Sequence, residues 1–83
     1  MSKKSILGVI GLGHVGAHVA YSLAVQGIAD ELILVDQNEQ KLASEVQDLR
    51  DAAAYLPHRV TVRSGDFQDL GVCDVIVNCV GKI

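Results

Sequence analysis

Apolar residues are grouped along the chain into short runs that predict the strands of a parallel sheet. Leu32-Ile33-Leu34-Val35 and Val75-Ile76-Val77 contain no alternating polar residues. Strands of this kind are usually buried on both faces, as in parallel sheets. The predicted strands are Ile6–Ile10, Glu31–Asp36, Val60–Arg63 and Asp74–Val80. Ser64–Gly71 predicts a loop or a single short turn.

Two longer segments between these strands have the spacing of amphipathic helices. The first covers about His14–Gln26, and Gly27 is a natural stop for it. Its predicted apolar stripe consists of Val15, Gly16, Val19, Ala20 and Leu23. The second covers about Asn38–Tyr55 and ends before Pro57. Its buried face is predicted from the spacing of Leu42, Val46, Leu49 and Ala53.

The alternation of strands and helices predicts an α/β fold, a Rossmann-type parallel sheet with strand order 3-2-1-4. Right-handed crossovers running in one direction place both helices on the same face of the sheet. The link before the last strand is too short for a long covering helix, so we expect the second face to lack cover. Exposing several hundred Å² of apolar surface would cost roughly several kcal/mol. We therefore expect residues 1–83 to be the amino-terminal part of a longer, here incomplete, domain.

Composition and charge exclude several classes of protein. Of the 83 residues, 49% are apolar and the net charge is −3, which disfavours disorder and a nucleic-acid partner. On one strand Cys73 and Cys79 would lie roughly 20 Å apart, too far to form a disulfide. A reducing, cytoplasmic location is expected. Ser5–Ala29 lacks Asp, Glu, Lys and Arg, but its glycines and histidines argue against a membrane segment.

A glycine motif lies between the first strand and the first helix. Gly11-Leu12-Gly13-His14-Val15-Gly16 fills a Gly-x-Gly-x-x-Gly frame, and Asp36 follows twenty residues later. In this context the motif indicates a dinucleotide site. Gly11 would form the tight turn, Gly13 would admit a pyrophosphate, and Gly16 would allow close packing of the helix.

The chemistry of this motif favours NAD as the cofactor. The first amides of the helix lack internal partners and lie at the positive end of its dipole, which suits a phosphate. Asp36 would accept hydrogen bonds from the adenosine ribose and would repel the 2′-phosphate of NADP. The alternative role of Asp36 is as N-cap of the second helix, with Glu39 completing a capping box.

Together these segments resemble the start of the NAD-dependent L-2-hydroxyacid dehydrogenases, the lactate and malate dehydrogenase family. Beyond the glycines, the similar segments are Gly27–Leu32, Val35–Lys41, Gln47–Ala52, Gly65–Asp69 and Asp74–Val77 followed by Gly81. Lactate dehydrogenases usually have alanine where Val80 stands. Val80-Gly81 and Asp51-Ala52 look closer to the L-2-hydroxyisocaproate dehydrogenase branch, which implies a 2-oxo acid bulkier than pyruvate.

The resemblance implies further cofactor contacts. The amide of Val15 would bind the pyrophosphate beside His14, and Lys41 would lie near the adenosine end. Phe67 stands where relatives often have tyrosine against the cofactor, and Gly81 would approach the nicotinamide-side ribose. A solvated lysine and a core aromatic are the alternatives for Lys41 and Phe67.

The activity implied by the resemblance is hydride transfer between NAD(H) and an L-2-hydroxy or 2-oxo acid. The catalytic groups of the family lie beyond residue 83, so no catalytic residue is assigned, and we expect residues 1–83 alone to catalyse nothing. A homodimer or homotetramer that uses the second helix is implied. The alternatives are a non-enzymatic NAD-sensing regulatory domain and, less in keeping with the regular glycine loop, an S-adenosylmethionine-dependent methyltransferase.

The three histidines predict no metal site. His14 and His18 are four residues apart, but no glutamate of the metalloprotease pattern lies between them and no third ligand is evident. His58, in the loop after Pro57, is assigned no role.

Overall fold

A four-stranded parallel sheet forms the centre of the protein, in a computed structural model that describes residues 5–80. The strands are β1 (Ile6–Ile10), β2 (Glu31–Val35), β3 (Thr61–Ser64) and β4 (Val75–Asn78). The helices are α1 (His14–Gln26) and α2 (Glu39–Ala53), and Asp69–Val72 forms a 3-10 turn. The strand order is β3-β2-β1-β4, and each neighbouring pair is parallel. The predicted fold class and strand order are confirmed.

Several helix and strand boundaries differ from the predicted ones, and local hydrogen bonds explain those of α2. Helix α2 begins at Glu39 because the side chain of Asn38 caps it, accepting from the Lys41 amide at 3.0 Å. Helix α2 ends at Ala53, after which the Tyr55 amide donates to the Ala52 carbonyl, three residues back instead of four. β2 and β4 are shorter than predicted, and β3 begins one residue later than predicted.

The main core lies between the helices and one face of the sheet. Its deepest residues include Val9, Leu32 and Leu34. In α1 the buried residues are Gly16, Ala20 and Ala24. The predicted stripe is therefore wrong for Val15, whose side chain is 66% exposed. The buried positions of α1 thus carry small residues, whereas Val15 and Val25 are exposed.

The second face of the sheet is partly covered, so the prediction that nothing in the chain buries it is wrong. Leu70 of the 3-10 turn packs with Ile33 and Val35, all three of them buried. Gly8 makes room for this turn, since a Cβ there would lie 2.7 Å from the Leu70 side chain and 2.9 Å from the Cys73 sulfur. Apolar exposure persists on β4, at Val75 and Ile76.

Gly27 ends α1 as predicted, and His58 reinforces that end. Gly27 has a left-handed φ of 68° and donates its amide to the Ala24 carbonyl. The Nε2 atom of His58 lies 2.7 Å from the same carbonyl oxygen. A histidine near a helix C-terminus can hydrogen-bond the last carbonyls of the helix. His58, which the sequence analysis left without a role, therefore joins the segment after α2 to the end of α1.

Replacing Gly27 with alanine is expected to lower the free energy of unfolding by about 1–2 kcal/mol, because an L-residue is strained at this φ. The added Cβ would also lie 3.0 Å from the His58 ring. Urea unfolding of the two proteins measures the difference. Gly71→Ala is the matched control, because a Cβ at Gly71 meets no atom within 4 Å. Equal unfolding midpoints for the Gly27 and Gly71 variants would contradict the strain argument.

Candidate dinucleotide-binding site

A cleft of about 430 Å³ lies at the carboxyl ends of β1, β2 and β4. In an open parallel sheet, ligands bind at this end, where the chain direction across the sheet reverses. The lining consists of Ile10, Gly11, Leu12, Gly13, His14, Val15, Asp36, Gln37, Phe67, Cys79 and Val80. The cleft thus brings together six of the predicted cofactor-binding residues: Gly11, Gly13, His14, Val15, Asp36 and Phe67.

The first two glycines shape the turn that leaves β1. Gly11 has a φ of 84° and donates its amide to the Val35 carbonyl at 2.9 Å. A Cβ on Gly11 would lie 2.9 Å from the backbone nitrogen of Val80. Gly13 is different, because a Cβ there would meet no protein atom within 4 Å. The space beside Gly13 is therefore open, as approach of a ligand to the backbone requires.

Gly16 holds the helix against the turn. A Cβ on Gly16 would lie 1.7 Å from the carbonyl oxygen of Gly11 and 3.4 Å from the Cβ of Cys79. No side chain fits in that space. The close packing predicted for Gly16 is confirmed, and the closest neighbour is the glycine turn itself.

The two helices differ at their amino termini in a way that bears on ligand binding. Helix α2 has the side chain of Asn38 as its cap and Glu39 in its first turn. Helix α1 has Gly13 as its N-cap, with no side-chain cap and no acidic residue in the first turn. The first amide of α1 to bond within the helix is that of Ala17, to the Gly13 carbonyl. The preceding amides point to where an anion would bind.

Asp36 joins the glycine turn to the turn after β2. One carboxylate oxygen accepts from the Leu12 amide at 2.6 Å, and the other accepts from the Asn38 amide at 2.9 Å. A carboxylate has about four acceptor positions, so two remain for other donors. The alternative role of Asp36 as the cap of α2 is wrong, because Asn38 occupies that position.

These bonds keep the Asp36 carboxyl ionised. The Asn38 amide is the main cause that lowers its pKa, and burial, the next largest effect, opposes it. The Leu12 amide and the Lys41 charge also lower the pKa. Because the folded pKa lies below the ordinary value of 3.8, the stabilisation is complete above about pH 4 and is lost as the pH falls through the folded pKa.

The dependence of the free energy of unfolding on pH should therefore reflect the ionisation of Asp36. We expect wild type to be more stable than Asp36→Asn above about pH 4, with the difference shrinking as the solution is acidified. Denaturant unfolding at several pH values measures this difference. Glu39→Gln, which removes a neighbouring carboxylate in the first turn of α2, is the control. A difference that stayed constant down to the lowest pH would show that ionisation of Asp36 contributes nothing.

The remaining predicted site residues do not all line the cleft. Phe67 lines the cleft and is 59% exposed, so the alternative of a core aromatic is wrong. Lys41 is exposed and lies outside the lining, although its charge acts on Asp36. Gly81 lies outside the described residues.

Five of the residues that line the cleft were not among the predicted cofactor-binding residues: Ile10, Leu12, Gln37, Cys79 and Val80. The signal was available, since Cys79 and Val80 follow β4 and the carboxyl ends of parallel strands meet at one edge. Both cysteines are free and partly buried, and burial raises the pKa of the Cys73 thiol.

Within residues 5–80, no three His, Cys, Asp or Glu side chains are grouped as metal ligands would be. Over the same residues, neither helix has the length and apolarity needed to cross a bilayer.

Residues 5–82 match the sequence profile of the lactate/malate dehydrogenase NAD-binding domain. The chain belongs to this family. The resemblance identified from the sequence is thus confirmed at the level of the lactate/malate dehydrogenases, and so is NAD as the cofactor of the matched domain.

Individual relatives agree with the family assignment. The chain is 42% identical over 77 residues to an L-lactate dehydrogenase of Fusobacterium nucleatum, covering 93% of this chain and 24% of that protein. It is 38% identical over 81 residues to an L-lactate dehydrogenase of Halalkalibacterium halodurans, covering 98% of this chain and 26% of the relative. The chain thus spans about a quarter of the length of the curated relatives it matches.

Solved structures show the same fold. The minor L-lactate dehydrogenase of Enterococcus mundtii superposes with a TM-score of 0.91 at 31% identity, covering 96% of this chain and 26% of that one. A lactate dehydrogenase from a Medee basin deep-sea metagenome library gives the same TM-score at 30% identity, covering 99% of this chain and 26% of its own. The sheet and the glycine turn therefore belong to the amino-terminal half of a family Rossmann domain.

Proposed function

We propose that this chain forms the adenosine and pyrophosphate half of the NAD site of an NAD-dependent L-2-hydroxyacid dehydrogenase. One observation carries the proposal: the uncapped start of α1 and the ionised Asp36 line the same cleft. The residues fit the cofactor, because Gly13 leaves the turn open and Asp36 keeps acceptor positions for ribose hydroxyls. When bound, NAD supplies the hydride acceptor or donor.

Each predicted residue has a role in this proposal. The amides of His14 and Val15 hold the diphosphate, and Asp36 holds the adenosine ribose. Lys41 lies on the adenosine side, where its charge already reaches Asp36. Phe67 covers the cofactor from the rim of the cleft. Gly81 is assigned to the nicotinamide-side ribose from the sequence alone.

The proposed substrate is a 2-oxo acid bulkier than pyruvate, such as 2-oxoisocaproate. Its basis is Val80-Gly81 and Asp51-Ala52, which resemble the hydroxyisocaproate branch. The backbone of Val80 lies against Gly11, so this position belongs to the cleft. We further propose that the protein is a cytoplasmic homodimer or homotetramer and that residues 1–83 are the amino-terminal part of its NAD-binding domain.

The test uses the protein encoded by the whole gene and follows the loss of NADH absorbance with pyruvate, oxaloacetate and 2-oxoisocaproate. We expect turnover, with the largest kcat/KM for 2-oxoisocaproate. A larger value for pyruvate would overturn the bulkier substrate and leave the dehydrogenase activity supported. NAD binding without turnover of any 2-oxo acid would instead favour the NAD-sensing domain. Residues 1–83 alone should show no turnover.

A further inference from the structure

Within residues 5–80, a single side chain that lines the cleft is able to carry positive charge. Among its lining residues in the described part of the chain there is no lysine and no arginine, and His14 is the only histidine. A dinucleotide carries two negative charges on its diphosphate. The imidazole of His14, on the first residue of α1, is exposed at the end of the cleft where the uncapped amides lie.

No acidic residue in the first turn of α1 neutralises a positive charge on His14, and no other described residue that lines the cleft supplies positive charge to a bound diphosphate. Helix α1 has no acidic residue there, and His18, one turn further on, shares a neighbouring surface with His14. Across the cleft, Asp36 has both carboxylate oxygens engaged by the Leu12 and Asn38 amides. From the remaining elements, the cleft is lined by Gln37, Phe67, Cys79 and Val80, none of which carries a positive charge.

We infer that His14 binds the diphosphate of NAD through its protonated imidazole, so that NAD binding takes up a proton at this residue. This inference rests on the proposed function. The positive end of the α1 dipole opposes a charge on His14, whereas the two negative charges of an adjacent diphosphate favour the charged form. A charge-assisted hydrogen bond to a phosphate oxygen is also stronger than a neutral one. The proton comes from solvent and returns to it when NAD leaves, and no covalent bond changes. NAD therefore binds more tightly as the pH falls through the range in which imidazole titrates.

Calorimetric titration of the protein with NAD tests this between about pH 5.5 and 8.5, in buffers with different enthalpies of ionisation. Wild type should bind roughly 3- to 10-fold more tightly at the acidic end, and the buffer dependence should show net proton uptake. His14→Asn should lose both the gain in NAD affinity at acidic pH and the net proton uptake, whereas His18→Asn should keep both. Adenosine lacks the diphosphate, so neither its affinity nor its proton uptake should depend on His14.

The outcomes separate this inference from the proposed function. NAD affinities of wild type and His14→Asn that change in parallel with pH would overturn the inference while leaving NAD binding intact. Loss of the same proton uptake in His18→Asn would also overturn it, because the effect would not be specific to the cleft. Absence of NAD binding at every pH would overturn the proposed function as well.

Discussion

Gly16→Ala is expected to disrupt the folded strand–turn–helix unit that contains β1 and α1. The new Cβ would lie 1.7 Å from the Gly11 carbonyl oxygen and 2.9 Å from its carbonyl carbon, and both are backbone atoms. No side-chain rotation relieves such a contact, so α1 must move away from the turn. We expect a loss of about 3 kcal/mol or more in the free energy of unfolding, measured by urea denaturation.

Gly13→Ala is the matched control for this prediction. It adds the same methyl group within the same motif, but a Cβ at Gly13 meets no protein atom within 4 Å. Its φ of −68° is also accessible to alanine. We expect stability within about 1 kcal/mol of wild type, together with weaker NAD binding because the methyl group projects into space needed by the diphosphate. Similar stabilities for Gly13→Ala and Gly16→Ala would contradict the proposed packing.

Asp36→Asn is expected to weaken NAD binding by about 10- to 100-fold. The substitution removes the charge that accepts from the ribose hydroxyls, and hydrogen bonds to charged groups contribute about 1.5–3 kcal/mol. Affinity for NADP relative to NAD should rise, because the carboxylate that repels a 2′-phosphate is gone. Titration with both dinucleotides measures the ratio.

Glu39→Gln controls for charge in this experiment. It removes a carboxylate three residues away that belongs to the first turn of α2 and does not line the cleft. Its NAD affinity should stay within about 2-fold of wild type, as is usual for an exposed charge. An unchanged NADP-to-NAD ratio in Asp36→Asn would show that Asp36 only stabilises the turn through its bonds to the Leu12 and Asn38 amides.

The elements with strong local signals were predictable from the sequence. The bounds of β1 and α1 agree with the prediction, because an uninterrupted apolar run defines the strand and Gly27 ends the helix. The strand order 3-2-1-4 was predictable because the glycine motif between a strand and a helix is typical of the Rossmann fold, which has this order. The clustering of Gly11, Gly13, His14, Val15 and Asp36 followed from the same topology.

The features that were missed depend on contacts between distant parts of the chain. The bond from the Leu12 amide to Asp36 joins residues 24 positions apart, and no local pattern encodes it. Cover of the second face by Leu70 depends on the space left at Gly8, far away in the sequence. Val15 was placed in the buried stripe because of its helical spacing from Val19 and Leu23, whereas the residues of α1 that are buried are the small Gly16, Ala20 and Ala24.

A crystal structure of the NAD complex would show whether the glycine turn and Asp36 bind the cofactor. We expect the diphosphate within hydrogen-bonding distance of the His14 and Val15 amides, with the adenosine ribose hydroxyls on the Asp36 carboxylate. NAD bound away from the glycine turn, or an adenosine ribose that makes no contact with Asp36, would contradict it.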